Sequence, residues 1–416
     1  MIDILLQKAE DKIGREIKTR GDCELLSFAI YEMLDIDLSY NTIRRLYGLA
    51  PAVKPSINTL NTIAQFCHYK SFIHFTLTYA HQTERNIFKS IYEVIYNCNE
   101  TETIAFVKSV KSSSVNFIDF LMKLTRELIY NKQFHTLNQL YELKELNYNS
   151  YSYSEMLELG NSVGLLLRKV KINNKLLLLN DNFLRCIYLT FVDYSNLNGY
   201  YGAWAELLAA KKRSPEIKTF TLAILEFKKF LNNRDIQDKF GDLAFSKELH
   251  PILCSRLISV KILANDRNQT KSILNKYFKV HSEKKVSTIS YSYELLYLAI
   301  VTNNRILMIH LIQNIDLNPL LHYQKYHTNS FYLMCMFYYK GIGDHRKAKE
   351  FSSLFDLNCV RQSYRDFILL LHSVYLFADA SSSDQKATIK IKYNRLSKKM
   401  KYPYFSSSFL KEYFKR

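Results

Sequence analysis

Ser39-Tyr40-Asn41-Thr42-Ile43-Arg44-Arg45-Leu46-Tyr47-Gly48, followed by Pro55-Ser56-Ile57-Asn58-Thr59-Leu60-Asn61-Thr62-Ile63-Ala64-Gln65-Phe66-Cys67, spells two short capped helices. Ser39 is placed to cap the first, Ile43 and Leu46 fall on one face, and Gly48 supplies its stop. Tyr40, Asn41, Arg44 and Arg45 are left on the other face. Ser56 is placed to cap the second helix, whose Ile57, Leu60, Ile63, Ala64 and Cys67 recur at helical spacing and need a partner to bury against. Leu26, Ala29, Ile30, Met33 and Leu34 offer that partner upstream, before the turn Asp35-Ile36-Asp37. Working outward, Met1 to Arg20 reads as an amphipathic helix with Ile2, Leu5, Leu6, Ala9, Ile13 and Ile17 on one side. Residues 1–80 carry nine basic and nine acidic residues, and all nine acids lie at or before Asp37. The stretch 39–80 is therefore purely basic, through Arg44, Arg45, Lys54 and Lys70.

The pattern S-x-x-T-[IL]-x-R-[IL], a glycine, then P-S-x-x-T-L-x-x-[IL]-A resembles the Cro/repressor (XRE) class of bacterial helix-turn-helix domains, over roughly the first fifth of the chain. The resemblance implies that the helix opening at Ser39 lies in the major groove of DNA, with Tyr40, Asn41, Thr42, Arg44 and Arg45 against base edges. Chemistry suits those roles. An arginine fork matches the two acceptors of guanine and an asparagine amide matches adenine, so Asn41 and Arg44 are the expected base readers. Arg45, Lys54 and Ser56 are the expected phosphate contacts.

The whole chain has 416 residues with only ten glycines and six prolines, a composition that argues for long helices. Beyond residue 80, apolar stretches of helical length alternate with short turns near Asn97, Asn131, Asn173, Asn232, Asp266, Asn304, Gly343 and Ser382. Most intervals between these turns suit a helical hairpin, and a longer one around Gly199 accommodates an extra turn. Phe117 to Tyr130 with Phe134 to Leu146 forms one such hairpin. Phe331 to Tyr339 with Ala348 to Phe355 forms another, across Gly341-Ile342-Gly343-Asp344. The second resembles a tetratricopeptide repeat, with Ala348 where that family places a small residue. The expected fold is all-α: a helix-turn-helix domain over 1–80, a divergent α-solenoid of helical hairpins over 81–385, and a basic terminal helix or cap over 386–416. A short echo, Ser152-Tyr153-Ser154-Glu155 against Ser290-Tyr291-Ser292-Tyr293-Glu294, fits internal duplication.

The net charge is +18, and the last 31 residues hold ten basic residues against Glu412 alone. Lys390, Lys392, Arg395, Lys398, Lys399 and Lys401 are candidates for sequence-independent phosphate contacts, with Tyr402, Tyr404 and Phe405 following. The same run also suits the polar outer face of a terminal capping helix. Tyrosines number 31 and phenylalanines 26, and packing between helices accounts for most of them.

Other chemistry leaves no pattern. The seven cysteines are scattered singly and read as reduced core residues of a cytoplasmic protein. No G-x-S-x-G, phosphate-cradling glycine loop or H-E-x-x-H occurs, and His322 and His327 are wrongly spaced for one helical face. No catalytic residue, metal ligand or cofactor is expected, and no apolar run is long enough to cross a membrane. Two functions follow. The first is a sequence-specific, homodimeric regulator of transcription that binds double-stranded DNA and takes a peptide or protein effector in the solenoid groove. The alternative is a non-catalytic intracellular scaffold whose N-terminal helical domain docks a protein.

Overall fold

A computed structural model describes residues 1–111, 116–164, 166–167, 177–240, 251–277, 288–317, 325–361 and 363–415. Among them every regular element is helical and there is no strand. The chain divides into two compact units, Met1–Phe120 and Leu121–Arg416.

The first unit is built from α1 (Ile2–Ile13), α2 (Arg20–Leu34), α3 (Tyr40–Leu46), α4 (Ile57–Phe66), α5 (Phe72–Asn97) and α6 (Glu100–Lys111). The amphipathic helix expected over Met1 to Arg20 is shorter. It stops at Gly14, whose φ of 70° is a left-handed end that only glycine adopts without strain. A new start follows five residues later. Thr19 and Asp22 cap α2 reciprocally, and Ile17, in the intervening loop, is buried all the same. Hydrogen bonds from the Thr19 hydroxyl, then from the Lys18 amide, hold the Asp22 carboxyl below its ordinary range. Leu5, Leu6, Leu26, Ile30, Ile43, Ile63 and Phe75 make the centre of one core. Met33, expected on the inner face of α2, is exposed instead. Cys23, Leu26 and Ile30 are fully buried, and Ala29 and Leu34 pack partly buried against the same core, so Met33 alone of the expected face stays out.

The second unit continues with α8 (Phe134–Glu142), α9 (Tyr153–Gly164) and α10 (Asp181–Phe183), after α7 (Phe117–Tyr130), which contains the point of division. The hairpin segment Phe134 to Leu146 is helical only to Glu142 and ends in a 3-10 turn over Lys144–Leu146. α10 runs straight into a π-helical turn, Leu184–Tyr188. Next come α11 (Tyr200–Ala209), α12 (Pro215–Leu231), α13 (Pro251–Ala264), α14 (Thr270–Tyr277), α15 (Thr288–Thr302), α16 (Arg305–Asn314), α17 (Lys325–Gly341), α18 (His345–Leu354), α19 (Arg365–Asp379), α20 (Ser383–Met400) and α21 (Ser407–Glu412). Consecutive helices pack as pairs, α11 on α12, α17 on α18 and α19 on α20. In the α17–α18 pair, Gly343 turns at φ 80°, Asp344 caps α18, Ala348 is buried, and Tyr339 stacks on Phe351 with centroids 5.5 Å apart. The turn at Asn173 lies outside the described residues.

Two details go beyond stacking of neighbours. Gly160 and Gly164, one turn apart on α9, allow it to lie against the π-helical segment. A Cβ at Gly160 would sit 1.9 Å from Thr190 Oγ1, and one at Gly164 2.2 Å from the Phe191 ring. The C-terminal segment also returns to much earlier residues. The Tyr402 hydroxyl donates to the Tyr194 carbonyl at 2.6 Å and accepts from the Leu197 amide at 2.7 Å, and the Tyr404 hydroxyl donates to the Val301 carbonyl at 2.9 Å. In a linear repeat array each unit touches only its neighbours. Here segments some two hundred positions apart are hydrogen-bonded.

The echo between 152–155 and 290–294 does not mark equivalent positions. Ser152 and Glu155 form the cap at the start of α9, whereas Ser290 lies inside α15. None of the seven cysteines forms a disulfide; Cys98 is exposed, unlike the buried Cys23, Cys186, Cys254 and Cys335. Among the described residues no helix is long and apolar enough to cross a membrane.

Candidate nucleic-acid interface and a chamber in the second unit

Helix α3 is held from three sides. Ile43 enters the core, the Ser27 hydroxyl donates to the Leu38 carbonyl at 2.6 Å just before the helix, and the Tyr47 hydroxyl donates to the Leu6 carbonyl at 2.9 Å just after it. Ser39 caps the helix by accepting from the Asn41 amide at 3.3 Å. Asn41 and Arg45 stand exposed, while Tyr40, Thr42 and Arg44 are half-buried. Tyr40 packs under the Arg20 guanidinium, 4.9 Å from its ring centroid. Arg44 leans back along its own helix, 3.5 Å from Asn41 Oδ1 and 3.4 Å from the Leu49 carbonyl. Contacts that long are weak, so the guanidinium can reorient at small cost. Lys54 is exposed in the following loop, and Ser56 caps α4 by accepting from the Thr59 amide at 3.1 Å. This face therefore presents Asn41, Arg45 and Lys54 to solvent, and no acidic residue occurs between 39 and 80.

The basic run near the C-terminus forms α20, with Lys390, Lys392, Arg395, Lys398 and Lys399 exposed on it and Lys401 exposed at its left-handed end. Lys399 is bridged to Asp366 at 2.6 Å. Tyr393, Leu396 and Met400 are buried, as expected for a terminal helix with one wet face. The rings that follow are not open platforms for bases. Tyr402 and Phe405 are buried, and Tyr404 packs on Phe230 with centroids 4.5 Å apart.

The second unit also holds a partly open chamber of about 410 Å3 that the sequence does not announce. Its wall draws on Tyr148 and Tyr151 before α9, Asn161 on α9, Arg185 in the π-helical turn, Glu216 and Phe220 on α12, Arg256 on α13, Tyr293 and Glu294 on α15, His327 on α17, and Arg361 and Tyr364 before α19. The most buried charges form a closed network. Glu294 Oε1 accepts from Arg256 Nη2 at 3.0 Å and from the Tyr364 hydroxyl at 3.1 Å, and Oε2 accepts from the Tyr194 hydroxyl. Burial works against the Arg256 charge, but Glu294 and the surrounding phenols outweigh it and hold its proton more tightly than usual. Arg185 pairs with Glu216 and lies over the Tyr148 ring. His327 packs against Tyr293 with centroids 4.1 Å apart and the rings tilted at 34°; burial first, and then the Arg361 charge, push its imidazole down to about 3. It is therefore neutral at physiological pH. Its Nδ1 has no hydrogen-bond partner among the described residues. His322 lies outside them.

Spacing along the chain could not reveal this chamber, because its residues come from eight segments between 148 and 364. A fainter signal existed: Arg256 in Pro251-Ile252-Leu253-Cys254-Ser255-Arg256-Leu257-Ile258, and Glu294 before Leu295-Leu296-Tyr297-Leu298, are isolated charges within apolar runs. Such charges need a buried partner. In comparisons with known proteins, no family model, no curated protein and no solved structure matches the chain.

Proposed function

We infer that the chain is a sequence-specific DNA-binding regulator of transcription, with a helix-turn-helix first unit and a helical-repeat second unit that receives an effector. One observation carries this reading: the outward side of α3 is short, capped, free of acids, and offers an amide and a guanidinium to solvent. Seven residues make a rod about 10 Å long, which suits a major groove about 12 Å wide. Asn41 supplies an adenine-type donor and acceptor pair, and Arg45 and Lys54 supply phosphate contacts. Arg44 joins as a guanine reader once it leaves its weak contacts. A single copy of so small a reader binds weakly, so the working form is a homodimer on two half-sites. Helices paired as hairpins, with a small buried Ala348 in one of them, support the repeat reading of the second unit.

The test is selection of full-length protein on random-sequence duplex DNA at roughly physiological salt, where non-specific contacts are weakened. Enrichment of a palindromic motif, lost with Asn41→Ala and Arg45→Glu together, is the expected result. Both side chains are exposed, so the pair of changes leaves the core alone. Retention that survives the substitutions, or retention without enrichment, refutes the reading. The latter result would implicate the basic face of α20.

The scaffold reading rests on a different feature of the first unit. Leu25, Phe28 and Tyr31 on α2, with Val53 and Ile57, leave large apolar groups in solvent. If the selection retains no DNA, docking of a protein through those groups becomes the leading reading.

A further inference from the structure

The chamber gives the effector a chemical class, an inference that rests on the reading of the second unit as the receiving part. At about 410 Å3 it lies toward the lower end of the roughly 300–1,000 Å3 typical of small-molecule sites. That space admits a compact organic molecule, or one side chain of a peptide, but not an extended peptide along its length. The charges in its wall are already committed. Glu216 pairs with Arg185, and Glu294 pairs with Arg256 while also accepting from two phenols. Arg361 is engaged as well, with the Asn161 amide oxygen at 3.4 Å and over the Tyr326 ring at 5.2 Å among its contacts. A charged ligand would have to break one of these pairings and shed its own hydration, so the wall selects against charge of either sign. His327 is different. It is 3% exposed, neutral at physiological pH, packed against Tyr293 in the same wall, and its Nδ1 has no hydrogen-bond partner among the described residues. A neutral imidazole carries one donor and one acceptor, and a buried polar group without a partner is costly to keep. Phe220 adds apolar ring surface, and Arg185 projects from a π-helical turn, a distortion frequent at functional sites.

We propose that this chamber binds an uncharged heteroaromatic group, its ring faces against Tyr293 and Phe220 and one polar atom hydrogen-bonded to the His327 imidazole. Aromatic walls favour a flat body over an inorganic ion or a sugar. The imidazole gives the ring system an orientation, because only a heteroatom or its N–H satisfies it. Two sources share this chemistry, a free heteroaromatic compound and a tryptophan ring presented by a peptide.

The experiment is isothermal titration calorimetry on the full chain at pH 7 without DNA, so its outcome is independent of whether the first unit reads a sequence. The uncharged probes are indole-3-carboxamide, benzimidazole and quinolin-4-ol, with the blocked peptide acetyl-Gly-Trp-Gly-amide. Indole-3-carboxylate and 3-(aminomethyl)indole carry the same rings with a negative and a positive charge. At least one uncharged probe is expected to bind with Kd below roughly 1 mM, and both charged indoles about tenfold or more weaker than it. Binding by the free compounds identifies a free small molecule as the source. Binding by the blocked peptide alone assigns the same chemistry to a tryptophan ring. His327→Phe, which keeps a ring in the wall but removes its polar atoms, should weaken the uncharged probe by about fivefold or more. Leu189→Trp, which fills the chamber from its wall, should abolish binding while circular dichroism and melting temperature stay near wild type. Charged indoles that bind as well as the uncharged probes, undiminished binding to His327→Phe or to Leu189→Trp, or no binding by any uncharged probe overturns the proposal.

Discussion

Replacing Glu294 with leucine should be strongly damaging, because its carboxylate is the common acceptor for a buried guanidinium and two phenols. Arg256 and Glu294 are 9% and 6% exposed, so each charge has little water to fall back on. Stranding the Arg256 guanidinium costs about 3–5 kcal/mol. The Tyr364 and Tyr194 hydroxyls lose their acceptor as well, for at least about 1–3 kcal/mol more, and Tyr194 keeps only the 3.3 Å hydrogen bond that it accepts from Arg256 Nε. Glu294→Leu should therefore cost about 5 kcal/mol. Arg256→Met alone should cost about 3 kcal/mol, since both phenols still donate to Glu294. The two substitutions together remove both charges and leave mainly unsatisfied phenols, so the double variant should lose only about 2 kcal/mol, far less than the two single changes added. Urea unfolding of the four proteins, followed by far-ultraviolet circular dichroism at pH 7, completes this cycle. A cost below about 1 kcal/mol for Glu294→Leu, or additivity in the double variant, would refute the argument that these charges are buried together and depend on each other.

Three further outcomes follow from packing, from backbone conformation and from protonation. Gly164→Val should lower stability by about 3 kcal/mol or more, because its Cβ would meet the Phe191 ring at 2.2 Å, and thermal melting reads this directly. Gly14→Ala, where nothing lies within 4 Å of the added Cβ, should cost only the left-handed backbone penalty of about 1 kcal/mol. His327 predicts a pH effect of definite sign. Its folded pKa of about 3 lies below the unfolded value near 6.5, so between those limits the unfolded chain binds a proton that the folded chain refuses. Its stability contribution is intact above about pH 6.5 and falls on acidification, by about 2 kcal/mol at pH 5. His327→Phe should lose correspondingly less stability between pH 7 and pH 5 than wild type does, while His372, pushed down to about 4, keeps its own share of the slope in both proteins. Equal losses in the two proteins would contradict the burial of His327.

Sequence alone reached the local features, because local features are written in neighbouring residues. Apolar spacing and the serines at 39 and 56 located α3 and α4 and their caps, and the Gly343-Asp344 turn located the α17–α18 hairpin. Scarce glycine and proline pointed to an all-helical chain, which the structure has among its described residues. Where sequence reading went astray, a local pattern admitted two outcomes. Met1 to Arg20 keeps its apolar period through Ile17, yet Gly14 and the Thr19 cap cut it into a helix and a loop. Met33 shares the period of Ile30 but lies outside the arc that its neighbours cover.

What tertiary structure alone decided is which distant residues meet. The return of Tyr402 and Tyr404 onto residues from 194 to 301, and the gathering of Arg185, Arg256, Glu294, His327 and Arg361 around one chamber, depend on how pairs of helices pack. Packing angles are set by small clearances such as those at Gly160 and Gly164, and these leave no period in the sequence. Isolated charges in apolar runs marked Arg256 and Glu294 as needing partners, a signal that spacing along the chain did not bring out. The fold supplied them to each other, because in a dry interior a carboxylate and the phenols around it are what make a buried guanidinium tolerable.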